Sequence, residues 1–309
     1  MNAIEIKGLT KRFGELTALD QLSLDVHKGE LFGLVGPDGA GKTTTMRLLC
    51  GIMDPTSGEA WVAGHNILRE PEQIKEKIGY MSQRFGLYGD LTVMENILFY
   101  ADLYDVPKKE LPGRIEKLLV FSNLSPFRSR LAQNLSGGMK QKLGLACALI
   151  HTPEILFLDE PTFGVDPISR GEFWQILYGL LKEGVTIFVS TAYMDEAERC
   201  HRVGLLHRGK LIACDEPDRL KLNAKEPFFE IRSRNRKKTK QALDRMGTVK
   251  GTGFFGDSIH FRLDAGEEID GVLRDLRKIG IEGETREIPP SLEDIFISMT
   301  QSAEGTHAA

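Results

Sequence analysis

Long apolar runs are missing from this 309-residue chain: no stretch of about 18 apolar residues occurs, so no membrane-spanning helix is expected. Cysteine is scarce. The four present (Cys50, Cys147, Cys200, Cys214) are far apart and form no CxxC pair, which argues against a zinc site or a disulfide framework. They fall in apolar or helical stretches, as buried thiols in a reducing compartment do. Positive charge is not in surplus either. A formal net charge of -4 gives no global attraction to nucleic acid, and no nucleic-acid partner is expected. The local basic cluster at Arg232–Lys240 reads as a solvated helix face. The opening MNAIEIKGLTKRFG has no basic segment leading into an apolar core, so it reads as a strand and not as a secretory leader.

What remains is the composition of a globular chain, 41% hydrophobic and 27% charged, long enough for one sizeable core and a smaller second domain. Ala3–Leu9 and Leu22–Val26 alternate like the strands of an antiparallel β-subdomain. Leu31–Val35, Ile155–Leu158 and Thr186–Ser190 are apolar throughout, as strands buried on both faces of a parallel sheet would be. Helical periodicity over Val93–Leu103, Arg114–Phe121 and Gly138–Ile150 marks a helical subdomain inserted at about 84–150. From about residue 222 the order βαββαβ, followed by a helix from Ser291, predicts a small ferredoxin-like α+β domain.

Two motifs carry chemistry on their own terms. Gly36-Pro37-Asp38-Gly39-Ala40-Gly41-Lys42-Thr43 matches the phosphate-loop pattern and lies between a buried strand and a predicted helix over Lys42–Cys50. Backbone N–H groups of such a loop converge on phosphate oxygens. Lys42 then reaches the β- and γ-phosphates, the Thr43 hydroxyl ligates Mg²⁺, and Thr44 adds a phosphate contact. Asp38 is left out of the ligand set: its acid is unfavourable if it faces the phosphates and neutral if it points outward, and the sequence does not decide between the two. The strand Ile155–Leu158 ends in Asp159 and Glu160, an arrangement that supplies a carboxylate linked to Mg²⁺ and, one residue on, a general base for the attacking water.

With Leu135-Ser-Gly-Gly-Met-Lys-Gln141 about twenty residues ahead of that strand, residues 1 to about 220 resemble the nucleotide-binding subunit of an ABC transporter. The resemblance implies an α/β fold: a P-loop NTPase core of ABC type with an antiparallel β-subdomain and an inserted helical subdomain. The expected domains are 1–221 for ATP binding, 222–302 for an accessory unit and 303–309 for a flexible tail. It implies ATP and Mg²⁺ as cofactors. Ser136, Gly137 and Gly138 would contact the γ-phosphate of ATP held by a second subunit, and Ser136 is also suited to cap a helix. Gln83 resembles the glutamine that touches Mg²⁺ and the attacking water. Phe85, Leu87, Tyr88 and Leu91 after it would help form a groove for a membrane partner. Phe13 resembles the aromatic that stacks on adenine. In Phe163-Gly-Val-Asp166, where the family pattern is closer to Ser-Ala-Leu-Asp, Asp166 is retained for contact between subunits.

One departure stands out. At Ala192 the family usually has a histidine that holds the γ-phosphate, and a methyl group offers no donor. His201 and His207 are poorly placed as substitutes. Hydrolysis by Glu160 and the metal site is expected to continue at a lower rate, with ATP binding and little turnover as the alternative. The MDEAERC helix and the PSLEDIFISMT segment carry a closer likeness to subunits that pair with ABC-2-type export permeases. The expected assembly is therefore two ATP-binding subunits, identical or close paralogues, peripheral on the cytoplasmic face of the membrane and driving a separate permease. A non-transport ABC-type regulatory module is the alternative.

Overall fold

Two compact units make up the chain, Met1–Cys214 and Asp215–Ala309. The structure, a computed structural model, describes residues 1–83, 86–224, 226–264 and 266–305. The first unit opens with β1 (Asn2–Phe13), β2 (Leu16–His27), β3 (Leu31–Val35), α1 (Lys42–Leu49), β4 (Ser57–Val62), β5 (His65–Asn66), α2 (Pro71–Lys77) and β6 (Ile78–Met81). Helices α3 (Val93–Leu103), α4 (Leu111–Phe121) and α5 (Gly137–Leu149) follow with no strand between them. Alternation resumes with β7 (Ile155–Asp159), α6 (Pro167–Lys182), β8 (Thr186–Thr191), α7 (Met194–Ala197), β9 (Arg202–His207) and β10 (Lys210–Asp215).

One sheet is antiparallel, in the order β2-β1-β4-β5. Its first two strands run longer than sequence alternation predicts. Pairing continues to Phe13 and Leu16 across register shifts between Ile6 and Lys11, and such irregularities break the two-residue period. The other sheet has the order β10-β9-β3-β8-β7-β6, with β9, β3, β8, β7 and β6 parallel. Every residue of β3, β7 and β8 is buried, as a sheet covered on both faces requires. Phe188 packs between Phe32 and Phe157, at ring-centroid distances of 5.3 and 5.5 Å. Burial of each such ring stabilises the fold by roughly 1.5–3 kcal/mol. Because β3, β8 and β7 are parallel neighbours, the loops leaving their C-terminal ends meet in one crevice.

The helical segment is held by its caps. Thr92 and Glu95 form a reciprocal capping box on α3, and the Thr92 backbone N–H holds the Glu95 carboxyl below its usual pKa. Asn96 is fully buried. Its amide donates to the carbonyls of Tyr88, Leu91 and Thr92, and its oxygen accepts from Tyr88 N–H, so one side chain orders the turn ahead of α3. Tyr88, half exposed, packs edge-on against Phe99 at 4.6 Å. Phe85 lies outside the described residues.

The second unit contains α8 (Pro217–Leu222), β11 (Phe228–Ser233), α9 (Arg236–Leu243), β12 (Val249–Phe255), β13 (Ser258–Leu263), α10 (Ile269–Lys278), β14 (Gly283–Ile288) and α11 (Leu292–Gly305). Its strands are antiparallel in the order β12-β13-β11-β14, a ferredoxin-like arrangement. Phe229 and Phe261 stack at its core. His260 Nδ1 sits 3.1 Å from the buried Asp294, which pins the start of α11 to β13. The unit begins ahead of the 221/222 boundary expected from sequence, because α8 packs on α11. That last helix runs through Gly305, so residues 303–305, assigned to a tail from sequence, are helical, and 306–309 lie outside the described residues. Cys50, Cys147 and Cys200 are free and buried, and burial pushes the Cys50 thiol well above its ordinary pKa. Among the described residues no helix is long and apolar enough to cross a membrane.

Candidate functional site

Between β3 and α1 the chain turns tightly at Gly41, whose φ of 110° is a value L side chains rarely adopt. A Cβ there would also stand 2.7 Å from the Ala18 carbonyl oxygen, so glycine is required. Among the described residues no side chain caps the first N–H groups of α1, which leaves them available to an anion. Lys42 is buried, and its ammonium donates to the Gly36 carbonyl at 2.7 Å and to the Pro37 carbonyl at 3.0 Å.

Asp159, at the end of β7, is 1% exposed. Its Oδ1 accepts from the Thr43 hydroxyl at 3.1 Å and from the Ser190 hydroxyl at 2.7 Å. Its Oδ2 is buried with no hydrogen-bond partner among the described residues. A buried, unpaired carboxylate oxygen beside a threonine hydroxyl is a donor set that fits a hard divalent cation. Glu160 follows at φ 49°, a left-handed conformation that costs a non-glycine residue roughly 1–3 kcal/mol. It is held there by its own N–H, which donates to both the carbonyl and the hydroxyl of Ser190 at 3.1 Å. Glu160 Oε1 lies 3.0 Å from Lys42 Nζ, and Oε2 accepts from the Gln83 amide at 2.9 Å.

Lys42, Thr43, Gln83 and Glu160 face a cleft of about 700 Å³, with Asp159 buried behind it. Of the residues expected from sequence, Phe13, Gly39, Gly41, Lys42, Thr43, Thr44, Gln83 and Glu160 line it. Gly36, Pro37, Ala40 and Asp159 do not, but the first three shape the loop: Ala40 N–H donates to the Pro37 carbonyl at 3.2 Å, and Gly36 N–H to the Thr191 carbonyl at 3.3 Å. Phe13 is half exposed, with Lys11 Nζ 5.1 Å from its ring centroid. Asp38 is exposed and lines the cleft. Sequence reasoning missed Thr17, Arg208 and Phe163 in the wall and Ser190 behind it. Only Ser190, a hydroxyl closing an apolar strand, carried a local signal.

The other expected ligands stand elsewhere on the unit. Ser136 caps α5 by accepting from Met139 N–H at 3.3 Å, and both Ser136 and Gly137 are exposed. Gly138 is buried against α6, where an added Cβ would come 2.6 Å from the Ser169 side chain. Asp166 caps α6 by accepting from Ile168 N–H at 3.1 Å and Ser169 N–H at 2.9 Å. The Ser169 N–H is the main cause of an Asp166 carboxyl pKa below the ordinary aspartate value. None of these four residues lines the cleft of their own chain.

Ala192 is exposed immediately beyond β8. His201 is committed elsewhere, its Nδ1 accepting from Leu31 N–H at 3.1 Å, and His207 closes β9. No histidine is among the described residues lining the cleft.

The ABC transporter family profile matches residues 19–163. Similarity also runs the length of the chain: the daunorubicin resistance ATP-binding protein DrrA3 of Streptomyces coeruleorubidus is 33% identical over 305 residues, 96% of each protein. The chain belongs to the ATP-binding subunits of ABC transporters. The bacitracin transport ATP-binding protein BcrA of Bacillus licheniformis is 38% identical over 236 residues, covering 76% of this subunit and 72% of BcrA. The probable multidrug ABC transporter ATP-binding protein YbhF of Escherichia coli (strain K12) is 46% identical over 218 residues. That match takes in 71% of this ATP-binding subunit but only 38% of YbhF. Among solved structures, an ATP-binding subunit of an ABC transporter superposes with a TM-score of 0.65 at 29% identity, over 71% of this chain and 92% of the other. A dimeric ATP-binding cassette in a post-hydrolysis state with ADP and Pi superposes with a TM-score of 0.63 at 27% identity, over 69% and 98%.

Proposed function

We propose that this ATP-binding subunit hydrolyses ATP as one of two copies, or beside a close paralogue, and that the pair drives a separate ABC-2-type permease in export. The observation that carries the reading is the separation of two half-sites. Lys42, Thr43, Gln83 and Glu160 line one cleft, with the buried Asp159 hydrogen-bonded to Thr43 behind it, while the exposed Ser136 and Gly137 stand outside it. A glycine-rich helix start with no phosphate of its own is suited to the phosphate of another subunit.

In this reading Phe13 stacks on the adenine, the Gly36–Thr44 segment cradles the phosphates, and Lys42 takes their charge. Thr43 and Asp159 would hold Mg²⁺, with Gln83 near the same place, and the bound ion would supply positive charge against the transferred phosphoryl group. Glu160 accepts the proton of the attacking water through a carboxylate that Lys42 and Gln83 hold in place. Asp166 holds α6 at the contact between subunits. The similar daunorubicin resistance and bacitracin transport proteins support export as the direction of work. The subunit would sit on the cytoplasmic face of the membrane through its permease.

One observation favours a second, quieter version. Ala192 presents only a methyl group where the family usually has a histidine, so turnover is slower than the intact metal site alone would permit.

ATPase activity and membrane association, measured with and without a co-expressed permease, test the proposal. Activity with recruitment to the membrane by the permease is the expected result. A subunit that never joins the membrane fraction would refute the transport reading.

A further inference from the structure

Glu196 is 1% exposed, although no step proposed above uses its carboxylate. Burial of an ionised carboxylate is tolerated when hydrogen bonds and an opposite charge compensate. Glu196 has both. Its Oε1 accepts from the Thr162 hydroxyl, its Oε2 accepts from the Thr191 hydroxyl at 2.7 Å, and Arg170 Nε lies 3.6 Å from Oε1. The partners come from three separate segments: the loop after Glu160, the last position of β8, and α6.

The first two of those segments border the cleft. Phe163 N–H donates to the Glu160 carbonyl at 3.2 Å, which ties the Thr162 loop to the proposed base. The Thr191 carbonyl accepts from Gly36 N–H, and the Thr191 hydroxyl accepts from Tyr193 N–H at 3.0 Å, which fixes the backbone on both sides of Ala192. Arg170 braces the second loop too, with its guanidinium 4.6 Å from the centroid of the Tyr193 ring.

We propose that Glu196 is a positioning residue for ATP hydrolysis: it clamps the loop after β7 to the loop after β8, so that Glu160 keeps its place against the γ-phosphate. The role rests on the ATPase reading above. It matters more here because Ala192 contributes no polar side-chain group to the same place.

The test uses the full chain and follows kcat, KM for ATP, nucleotide affinity and Tm together. Glu196→Gln keeps the side-chain volume but replaces one acceptor oxygen by an NH₂ that cannot accept from a threonine hydroxyl. A kcat loss on the order of tenfold is expected, with KM and nucleotide affinity within about twofold of wild type. Thr162→Val removes one arm of the clamp and should lower kcat in the same direction. Combined with Glu196→Gln, it should cost less than the product of the two single effects. Wild-type kcat in a folded Glu196→Gln or Thr162→Val chain overturns the role, as does a loss of nucleotide affinity as large as the loss of kcat. If Glu196→Gln does not fold, Thr162→Val decides alone. A wild-type chain that binds ATP without hydrolysing it overturns the ATPase reading and this role together. An active wild type with unaffected variants overturns this role only.

Discussion

Lys42 Nζ lies 3.0 Å from Glu160 Oε1, with both side chains largely buried. The cation expected to neutralise phosphate is thus paired with the carboxylate expected to take a proton from water. A phosphate would compete with Glu160 for that one ammonium group, which would link nucleotide entry to release of the expected base.

Neutralising that carboxylate separates the two roles. Glu160→Gln is expected to lower kcat at least about 100-fold, the usual scale for losing a general base. ATP affinity should be retained or rise, because Lys42 loses its anionic competitor. Steady-state hydrolysis and equilibrium nucleotide binding check this, and wild-type hydrolysis would refute the base assignment.

Ala192 is exposed, so a larger side chain meets little steric resistance there. Ala192→His should raise kcat severalfold by supplying a donor near the γ-phosphate, on the order of the gain expected from one added polar contact. An unchanged kcat would mean that another group already fills the role.

Gly138 tests how α5 is seated. With Ser169 atoms 2.6 Å from where a Cβ would lie, Gly138→Ala must push α5 away from α6 at a cost of about 1–3 kcal/mol. Thermal unfolding should show a lowered Tm, and adding Ser169→Gly should recover much of it. A Gly138→Ala chain as stable as wild type would contradict the packing.

His151 gives the fold a pH dependence. It stacks on Tyr104 at 3.8 Å, and its Nε2 lies 2.9 Å from the Ile78 carbonyl oxygen, while burial lowers its pKa below 6.5. The folded chain therefore resists a proton that the unfolded chain accepts. Stability contributed by neutral His151 should be lost as pH falls from about 6.5 toward the lowered folded value. Tm measured between about pH 7.5 and pH 5.5 should drop less in His151→Asn than in wild type. Equal drops would remove His151 as the cause.

Legibility varied with how local the cause was. The loop Gly36–Thr43 could be read directly, because its glycines, its lysine and the flanking apolar strand all act within one turn of chain. Asp159 and Glu160 could be read because a strand's end places its last residues. The lower ends of β1 and β2 were hidden, since register shifts scramble alternation. Asn96 was hidden as well, because one amide in an amphipathic helix looks like any exposed asparagine until its three carbonyl partners fold around it.

By itself, then, the sequence determined the α/β core, the phosphate loop, the strand-end carboxylates and the absence of a histidine at position 192. These follow from residue type and short-range periodicity. Only the tertiary structure decided that Lys42 pairs with Glu160, that Asp159 Oδ2 has no hydrogen-bond partner among the described residues, and that Glu196 binds threonines from two loops. Those relationships join β3, β7 and β8, which are distant in the chain and adjacent in the sheet. Parallel pairing with helical crossovers creates that adjacency, and no local pattern encodes it.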